Sequence, residues 1–358
     1  MLDEAGAEVR RQAAICNSCR YCEGYCAVFP VLHSAPILTD GAVVQLANLC
    51  HNCRGCYYAC QFTEPHEFAL NLPKALAELR QESWQAFAYP ALLGSVFHRN
   101  GLAIAAVATV GFALMLWAAR SFVAGDGASG FYAVLSHSLM VLIFAPAFVL
   151  PLAALMVSLR RYWHHVGGGR VTWADLRDAG ASVARMRNLS GGHGDGCNFE
   201  DVDRFSHARR HTHQAVMYGF LLCFAATCAG TVLHYGFDRP APYGVWSLPK
   251  LLGLSGGLLM VAGCLGLLML KRKSDPNLGE IRVWGGEVGF VVLLLVVALS
   301  GLLLYGLGQT AVMPFLLYLH LGSVLALFLL TPYSKMAHGF YRCAALIKDA
   351  QIRRVAER

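Results

Sequence analysis

Cysteine occurs twice at one spacing early in the chain: Cys16, Cys19, Cys22 and Cys26, then Cys50, Cys53, Cys56 and Cys60. Each run reads C-x2-C-x2-C-x3-C, a pattern whose closely spaced thiolates converge on three irons of one [4Fe–4S] cube. A structural zinc ion takes its cysteines as two separated pairs, and a third cysteine at the same short spacing has no place around a tetrahedral ion. The repeat therefore predicts two [4Fe–4S] clusters and an electron-transfer role. Two-cluster ferredoxins exchange the fourth ligand between runs, which would group Cys16, Cys19 and Cys22 with Cys60, and Cys50, Cys53 and Cys56 with Cys26. One departure is visible: the ferredoxin run ends in Cys-Pro, whereas Pro30 and Pro65 come several residues after Cys26 and Cys60.

Histidine supplies a second kind of metal ligand, and its setting is apolar. The chain has 358 residues, 56% hydrophobic and 14% charged, and after residue 100 its apolar residues arrive in long blocks. Six segments reach the ~20 residues needed to cross a hydrocarbon core. They run Leu102–Ala119, Val134–Leu159, Ala215–Tyr235, Leu248–Leu270, Val288–Leu307 and Phe315–Thr331. A histidine inside such a span is costly unless it ligates a metal or relays protons. His320 and His338 bracket the sixth segment eighteen residues apart, which is five turns and one helix face, about 27 Å of rise if the helix continues past Pro332. His213 and His234 bracket the third segment twenty-one residues apart, roughly 60° out of line, which a broad bundle interior can absorb. Pairing by depth predicts haem b, one or two copies, with His213 and His338 on the inner side and His234 and His320 on the outer. His137 competes with His234, and His211 with His213. His137, His164, His165 and His211 also suit an interfacial role, bonded to water or to carbonyls.

Basic residues set the expected topology. Arg160, Arg161, Arg170, Arg177, Arg185, Arg187, Arg204, Arg209 and Arg210 fall in the loop after the second segment, and Lys271, Arg272 and Lys273 follow the fourth. Lys335, Arg342, Lys348, Arg353, Arg354 and Arg358 occupy the C-terminal end, while the three opposite connections hold only Arg120 or Arg239 at their edges. The positive-inside rule then places both termini in the cytoplasm and the chain in the inner membrane. Met1 to Arg11 is polar and charged rather than a signal peptide, so the cysteine domain is expected to stay cytoplasmic, where paired thiols suit metals rather than disulfides. The net charge of +7 is explained by topology and requires no nucleic-acid partner.

The expected fold is an all-α membrane protein: a six-helix transmembrane bundle with an N-terminal ferredoxin-like two-cluster [4Fe–4S] domain. Residues 1–97 form the iron–sulfur domain, with a connector helix over Leu72–Phe87 whose Ala75, Leu76 and Leu79 stripe faces inward while Lys74, Glu78, Arg80 and Glu82 face away. Residues 98–340 form the membrane domain, including a cytoplasmic loop over 160–212, and residues 341–358 a cytoplasmic tail. Gly253, Gly256, Gly257 and Gly263 recur along the fourth segment and let helices approach closely.

These motifs carry a family resemblance. The two cysteine runs, the loop Gly191-Gly192-His193-Gly194-Asp195-Gly196-Cys197-Asn198-Phe199, and Arg209-Arg210-His211-Thr212-His213 leading into Tyr218-Gly219-Phe220 resemble the tricarballylate/citrate utilisation protein B family (TcuB/CitB) over nearly the whole chain. The chain is also similar to the carboxy-terminal part of the cobalamin-biosynthesis protein CobZ. More distantly, His320 through Thr331-Pro332-Tyr333-Ser334-Lys335-Met336-Ala337-His338 is similar to the di-haem helix of the nitrate reductase gamma subunit, which implies ligand roles for His320 and His338. The family resemblance implies a membrane partner that reoxidises the reduced FAD of a soluble tricarballylate dehydrogenase and passes electrons through clusters and haem b to the quinone pool or another respiratory acceptor. It makes the chain a component of a flavoprotein:quinone system rather than a stand-alone catalyst. No Rossmann glycine fingerprint occurs, so the flavin belongs to the partner.

Residues Gly167 to Gly196 read as a close-packed loop rather than a phosphate cradle, because no strand precedes them. Cys197 reads as a small buried residue, with a reactive thiol as the alternative, and Cys223, Cys228, Cys264 and Cys343 as helix packing. Two other functions compete: a heterodisulfide-reductase-like thiol/quinone oxidoreductase subunit, for which Cys197 is the lone substrate-thiol candidate, and a membrane-tethered iron–sulfur redox sensor, for which no signalling module is evident. The quinone site has no legible signature.

Overall fold

Each soluble helix begins where the sequence supplies a partner for its free N–H groups. Asp40–Leu49 starts at Thr39, whose hydroxyl accepts from Ala42 N at 3.3 Å; Leu72–Phe87 starts at Asn71, whose side chain accepts from Lys74 N at 3.1 Å, with Pro73 in the first turn. In the computed structural model, which describes residues 2–34, 37–98, 101–119, 131–191, 194–276, 278–279 and 281–356, these are α3 and α5 of a helical N-terminal domain. Its other helices are α1 (Leu2–Cys19), α2 (Val28–Ser34) and the single turn α4 (Gly55–Tyr58). Among the described residues no strand forms; the one ladder contact is an isolated antiparallel bridge between Cys197 and Ser206.

Six helices are long and apolar enough to cross a membrane. They are α6 (Gly101–Ala119), α8 (His137–His165), α10 (Ala208–Phe237), α11 (Leu248–Arg272), α12 (Ile281–Leu307) and α13 (Met313–Leu330). The short α7 (Phe131–Val134) precedes α8, and α9 (Trp173–Arg185) lies in the loop before α10, opened by a reciprocal capping box between Thr172 and Asp175. Arg120, Gly192, His193 and Arg358 lie outside the described residues.

The glycines of the fourth span divide between two neighbours. A Cβ on Gly219 of α10 would lie 2.7 Å from the Gly256 carbonyl oxygen, and one on Gly256 would lie 2.8 Å from that of Gly219. Gly263 is equally tight against Thr212 and Val216, whereas Gly257 faces Leu302 of α12. Backbone-to-backbone approach of this kind gives α10 and α11 their dispersion contacts where no hydrophobic effect drives helices together.

The chain end departs from the expected tail. Helix α14 (Ala337–Ala356) drives into the N-terminal domain, where Tyr341 (1% exposed), Ala345 (0%) and Leu346 join Leu46, Leu76, Leu79 and Trp84 in one core. Tyr341 stacks on Trp84 and meets Tyr162 of α8 edge-on, at ring separations of 6.0 and 5.4 Å. Gln45 of α3 ties three helices, accepting from the Tyr162 hydroxyl (2.7 Å) and donating to the Ala345 carbonyl (2.8 Å). The N-terminal domain, the inner end of α8 and α14 are therefore one packed unit on one side of the bundle. A polar-looking terminal sequence reads as a tail only while the core it enters is unknown.

The sixth span does not continue to His338. Helix α13 ends at Leu330, Thr331–Tyr333 forms a single 3-10 turn around Pro332, and α14 starts afresh at Ala337. The Tyr333 hydroxyl donates to the Tyr89 carbonyl at 2.7 Å and anchors this break. His320 and His338 thus stand on different helices. Connector α5 has the expected bounds, but Arg80 is 3% exposed rather than outward-facing, because the domain packs around the helix on more than one side.

Replacing Gly219 with valine should force α10 from α11 and cost about 1–3 kcal/mol, by analogy with overpacked cores. Gly253→Val, whose nearest neighbour is the Ala226 methyl at 3.6 Å, should cost far less. Thermal unfolding of the two variants in detergent checks the order.

Candidate functional site

The two cysteine runs are shaped by residues in left-handed backbone conformation. Arg20 (φ 57°) follows Cys19, and Asn52 (φ 52°) and Arg54 (φ 64°) flank Cys53. Each reverses the chain locally at some conformational cost, so successive Sγ atoms turn to a common side. Cys16 and Cys19 end α1, Cys50 follows α3, and Cys56 lies on α4.

The side chains gather in two interleaved groups. Cys16, Cys19, Cys22 and Cys60 line an open cavity of about 290 Å³. Cys26, Cys50, Cys53 and Cys56 line a narrower one of about 20 Å³ beneath it, and Cys56 borders both. Among the described residues no three His, Cys, Asp or Glu side chains converge closely enough to hold a single ion. The groups differ in exposure: Cys19 is exposed and Cys50 buried. Burial pushes the Cys16 and Cys22 thiols up to about 12 and raises those of Cys26, Cys50 and Cys56. Thiolates form here only against a compensating positive centre, so metal uptake releases protons.

The loop between α9 and α10 closes over the second group. Asn198 N donates to the Cys53 carbonyl (2.9 Å), Arg209 Nη1 to the Asn52 carbonyl (2.5 Å) and the Tyr58 hydroxyl to the Glu200 carbonyl (3.2 Å). Phe199 is sandwiched by the guanidiniums of Arg209 (4.2 Å) and Arg54 (5.0 Å). Cys197, 2% exposed, donates to the Leu189 carbonyl at 3.4 Å. A hydrogen bond with Cys53, helped by Arg209, brings its thiol down to about 7. This loop needs glycine at position 196: φ is +113°, and a Cβ would lie 2.3 Å from the Ser206 carbonyl oxygen.

Two guanidiniums from other elements reach the same group. Arg80 of α5 and Arg342 of α14 both donate to the Cys50 carbonyl, at 2.8 and 2.7 Å. Arg342 lies one turn beyond His338 on the same helix, so one helix presents both the cysteine contact and the histidine. Neither arginine stood out in the sequence, where a charged residue on a helix reads as a solvated face.

The structure brings His213 of α10 and His338 of α14 together, with ring centres 5.9 Å apart and planes at 89°. Two imidazoles bound end-on to one metal through bonds of ~2.0 Å hold their ring centres about 6 Å apart, so this spacing suits an axial pair. His338 Nδ1 faces the Lys335 carbonyl, which accepts only, leaving Nε2 as the nitrogen free to meet a metal. His213 Nδ1 is buried without a partner. Lys335 and Lys271 both pair with Glu287, Lys335 at 2.6 Å, fastening α11, α12 and the segment before α14 around this pair.

The outer histidines are arranged differently from the depth pairing. His137 and His234 stack at 4.3 Å, too close for a metal between them, and His137 Nε2 bonds the Tyr235 hydroxyl at 2.9 Å. His320 turns instead to α12, with Nδ1 3.1 Å from both Ser300 Oγ and the Val297 carbonyl. His211 faces His207 at 5.9 Å rather than His338.

Comparison with known proteins gives a consistent identification. The profile of citrate utilization protein B matches residues 89–358, and that of the citrate utilization protein B Fer4-like domain matches residues 9–86. The chain belongs to the citrate utilization protein B family. It is 41% identical over 358 residues to citrate utilization protein B of Escherichia coli, covering 98% of this chain and 93% of that relative. No solved structure matches it. In this family member the cysteine-rich Fer4-like region is thus the helical domain described above, joined to six helices of membrane-spanning length.

Gly196→Ala should lift the 197–200 segment off Cys53. Alkylation of Cys197 in the folded protein should then accelerate about tenfold or more, the equivalent of about 1.4 kcal/mol of local opening. Mass spectrometry of the labelled thiol reads the change.

Proposed function

We propose that the protein is a membrane electron carrier that reoxidises the reduced FAD of a partner dehydrogenase acting on tricarballylate or a related tricarboxylate. Electrons would pass by way of [4Fe–4S] clusters at the two cysteine groups and haem b at His213 and His338 to the quinone pool. The balance is simple: the flavin gives up two electrons and two protons, the electrons cross singly, and a quinone takes two electrons and two protons. Bound clusters and haem supply the one-electron couples that no side chain here provides.

The observation that carries this reading is contiguity. The exposed cysteine group shares Cys56 with the buried one, and Arg342 links the Cys50 carbonyl to the helix that bears His338. The grouping of Cys60 with the first run and Cys26 with the second supports the exchanged-ligand arrangement of two cubes. The His213–His338 spacing supports one haem on the side of the bundle that carries the N-terminal domain; the stacked His137 and His234 offer no second axial pair in this arrangement. The basic loops argue that this side is cytoplasmic, where a soluble flavoprotein can dock. The relative at 41% identity, a citrate utilization protein B, supports a role in citrate or tricarboxylate utilisation. A substrate-thiol role for Cys197 is disfavoured by its burial.

Anaerobically purified protein should contain about 8 iron atoms in cubane clusters together with haem iron. Zinc in place of iron would end the proposal. His338→Ala should abolish the low-spin haem spectrum while the cluster signals persist; retention of full haem absorbance would move that ligand elsewhere. Cys53→Ser should block haem reduction by the flavoprotein but leave haem reducible by dithionite, and an unchanged rate of flavin oxidation would contradict the route.

A further inference from the structure

The second cysteine group sits among buried cations that lack anions. Arg54 and Arg80 are each 3% exposed, and Arg342 and Arg209 are half-buried beside them. Among the described residues none of the four is in ion-pair contact with a carboxylate. Their bonds go to main-chain carbonyls: Arg54 to Phe199 and Asp275, Arg80 to Ala47 and Cys50, Arg209 to Asn52, and Arg342 to Asn48 and Cys50. Arg54 Nε, buried at the edge of the cavity that Cys26, Cys50, Cys53 and Cys56 line, has no partner. Unpaired buried cations are expensive, and two of them with two half-buried ones beside them call for a multiply charged anion. A [4Fe–4S] cube with four thiolates is one, at 2− when oxidised and 3− when reduced.

The first group has no such surroundings. Arg20 is the one arginine or lysine lining its cavity and is exposed, as are Cys19 and the adjacent Tyr21 (69%). Resting on the reading above, we infer that Arg54, Arg80, Arg209 and Arg342 raise the reduction potential of the cluster held by Cys26, Cys50, Cys53 and Cys56 above that of the cluster held by Cys16, Cys19, Cys22 and Cys60. The four cations would thereby bias electrons toward the buried group: the exposed group takes electrons from the flavoprotein, and the buried group hands them to the histidine pair.

The physical reason is the sign of the charge that reduction adds. Each electron puts one more negative charge on the cluster, and fixed cations a few ångströms away favour the state that carries it. Burial alone would act in the opposite direction by disfavouring the more highly charged form. The four arginines oppose that penalty, while Asp275 and Glu287, which act on Arg54 and Arg80 from beyond ion-pair contact, offset part of their field. No bond forms or breaks in the step; one electron leaves the first cluster and arrives at the second.

Redox titration of the anaerobically purified full chain, followed by electron paramagnetic resonance, tests this. The wild type should show two midpoints, and a dysprosium chelate in the solvent should broaden the low-potential signal and spare the high-potential one. Arg209→Gln should lower the higher midpoint so that its reduced fraction at fixed potential falls about tenfold, about 59 mV for one electron, with the lower midpoint unmoved. Arg209→Lys, which keeps the charge, should restore it. Arg80→Gln should act in the same direction, and iron content verifies that each variant is loaded. Equal midpoints in the wild type, chelate broadening of the high-potential signal, or a higher midpoint unmoved in both glutamine variants overturns the inference while leaving the clusters in place. Absence of any cluster signal would instead remove the function reading on which it rests.

Discussion

The carbonyl oxygen of Cys50 accepts hydrogen bonds from two guanidiniums, the buried Arg80 of the connector helix and the half-buried Arg342 of the last helix. A charged donor on a neutral carbonyl is stronger than an ordinary amide pair, and Arg80, 3% exposed, has little water as an alternative. The shared acceptor fixes the second cysteine run against α5 and α14 at once. Because α14 also carries His338, the contact sets where the cysteines stand relative to the histidine pair. The cover over the second group, the break after α13 and the packing of the domain on the bundle are arranged around this junction.

That junction explains why the C-terminal helix is built as it is. Tyr341, Ala345 and Leu346 enter the N-terminal core, while Arg342 and His338 point to the cysteine and histidine groups. A continuous helix from His320 would carry His338 further along the axis of the sixth span. The 3-10 turn at Pro332, held by Tyr333 on Tyr89, instead redirects the chain into the domain. Glu287 then gathers Lys271 and Lys335 at the same level, so the end of the bundle beside the N-terminal domain is held by charge as well as by apolar packing.

Much of the site was legible because its signals are local. The cysteine spacing names candidate cluster ligands without any knowledge of the fold, and the six helices of spanning length follow from length and composition. The connector helix was readable to its bounds from its apolar stripe, although Arg80, expected to face away, is buried. The histidine pairs were less so. Depth along a span placed His213 beside His338, but it also matched His234 with His320, because depth says nothing about which helices are neighbours around the bundle. Arg54, Arg80, Arg209 and Arg342 carried no signal of a place beside the cysteines, Arg80 being expected to face away and Arg209 and Arg342 read only as cytoplasmic charge, for a guanidinium that ends beside a buried sulfur looks in sequence like one that ends in water.

By itself the amino-acid sequence determined the chemistry available: eight thiols at cluster spacing, histidines in or beside apolar segments, and basic residues clustered in alternate connections. These depend on residue type and on separations along the chain, which covalent geometry converts directly into reach. Only the tertiary structure decided the partnerships, namely the interleaving of the two cysteine groups, the meeting of His213 with His338, and the gathering of four arginines about one group and none but the exposed Arg20 about the other. Such partnerships join residues as far apart as Cys50 and Arg342, whose proximity comes from the packing of whole helices and has no signature in either local sequence.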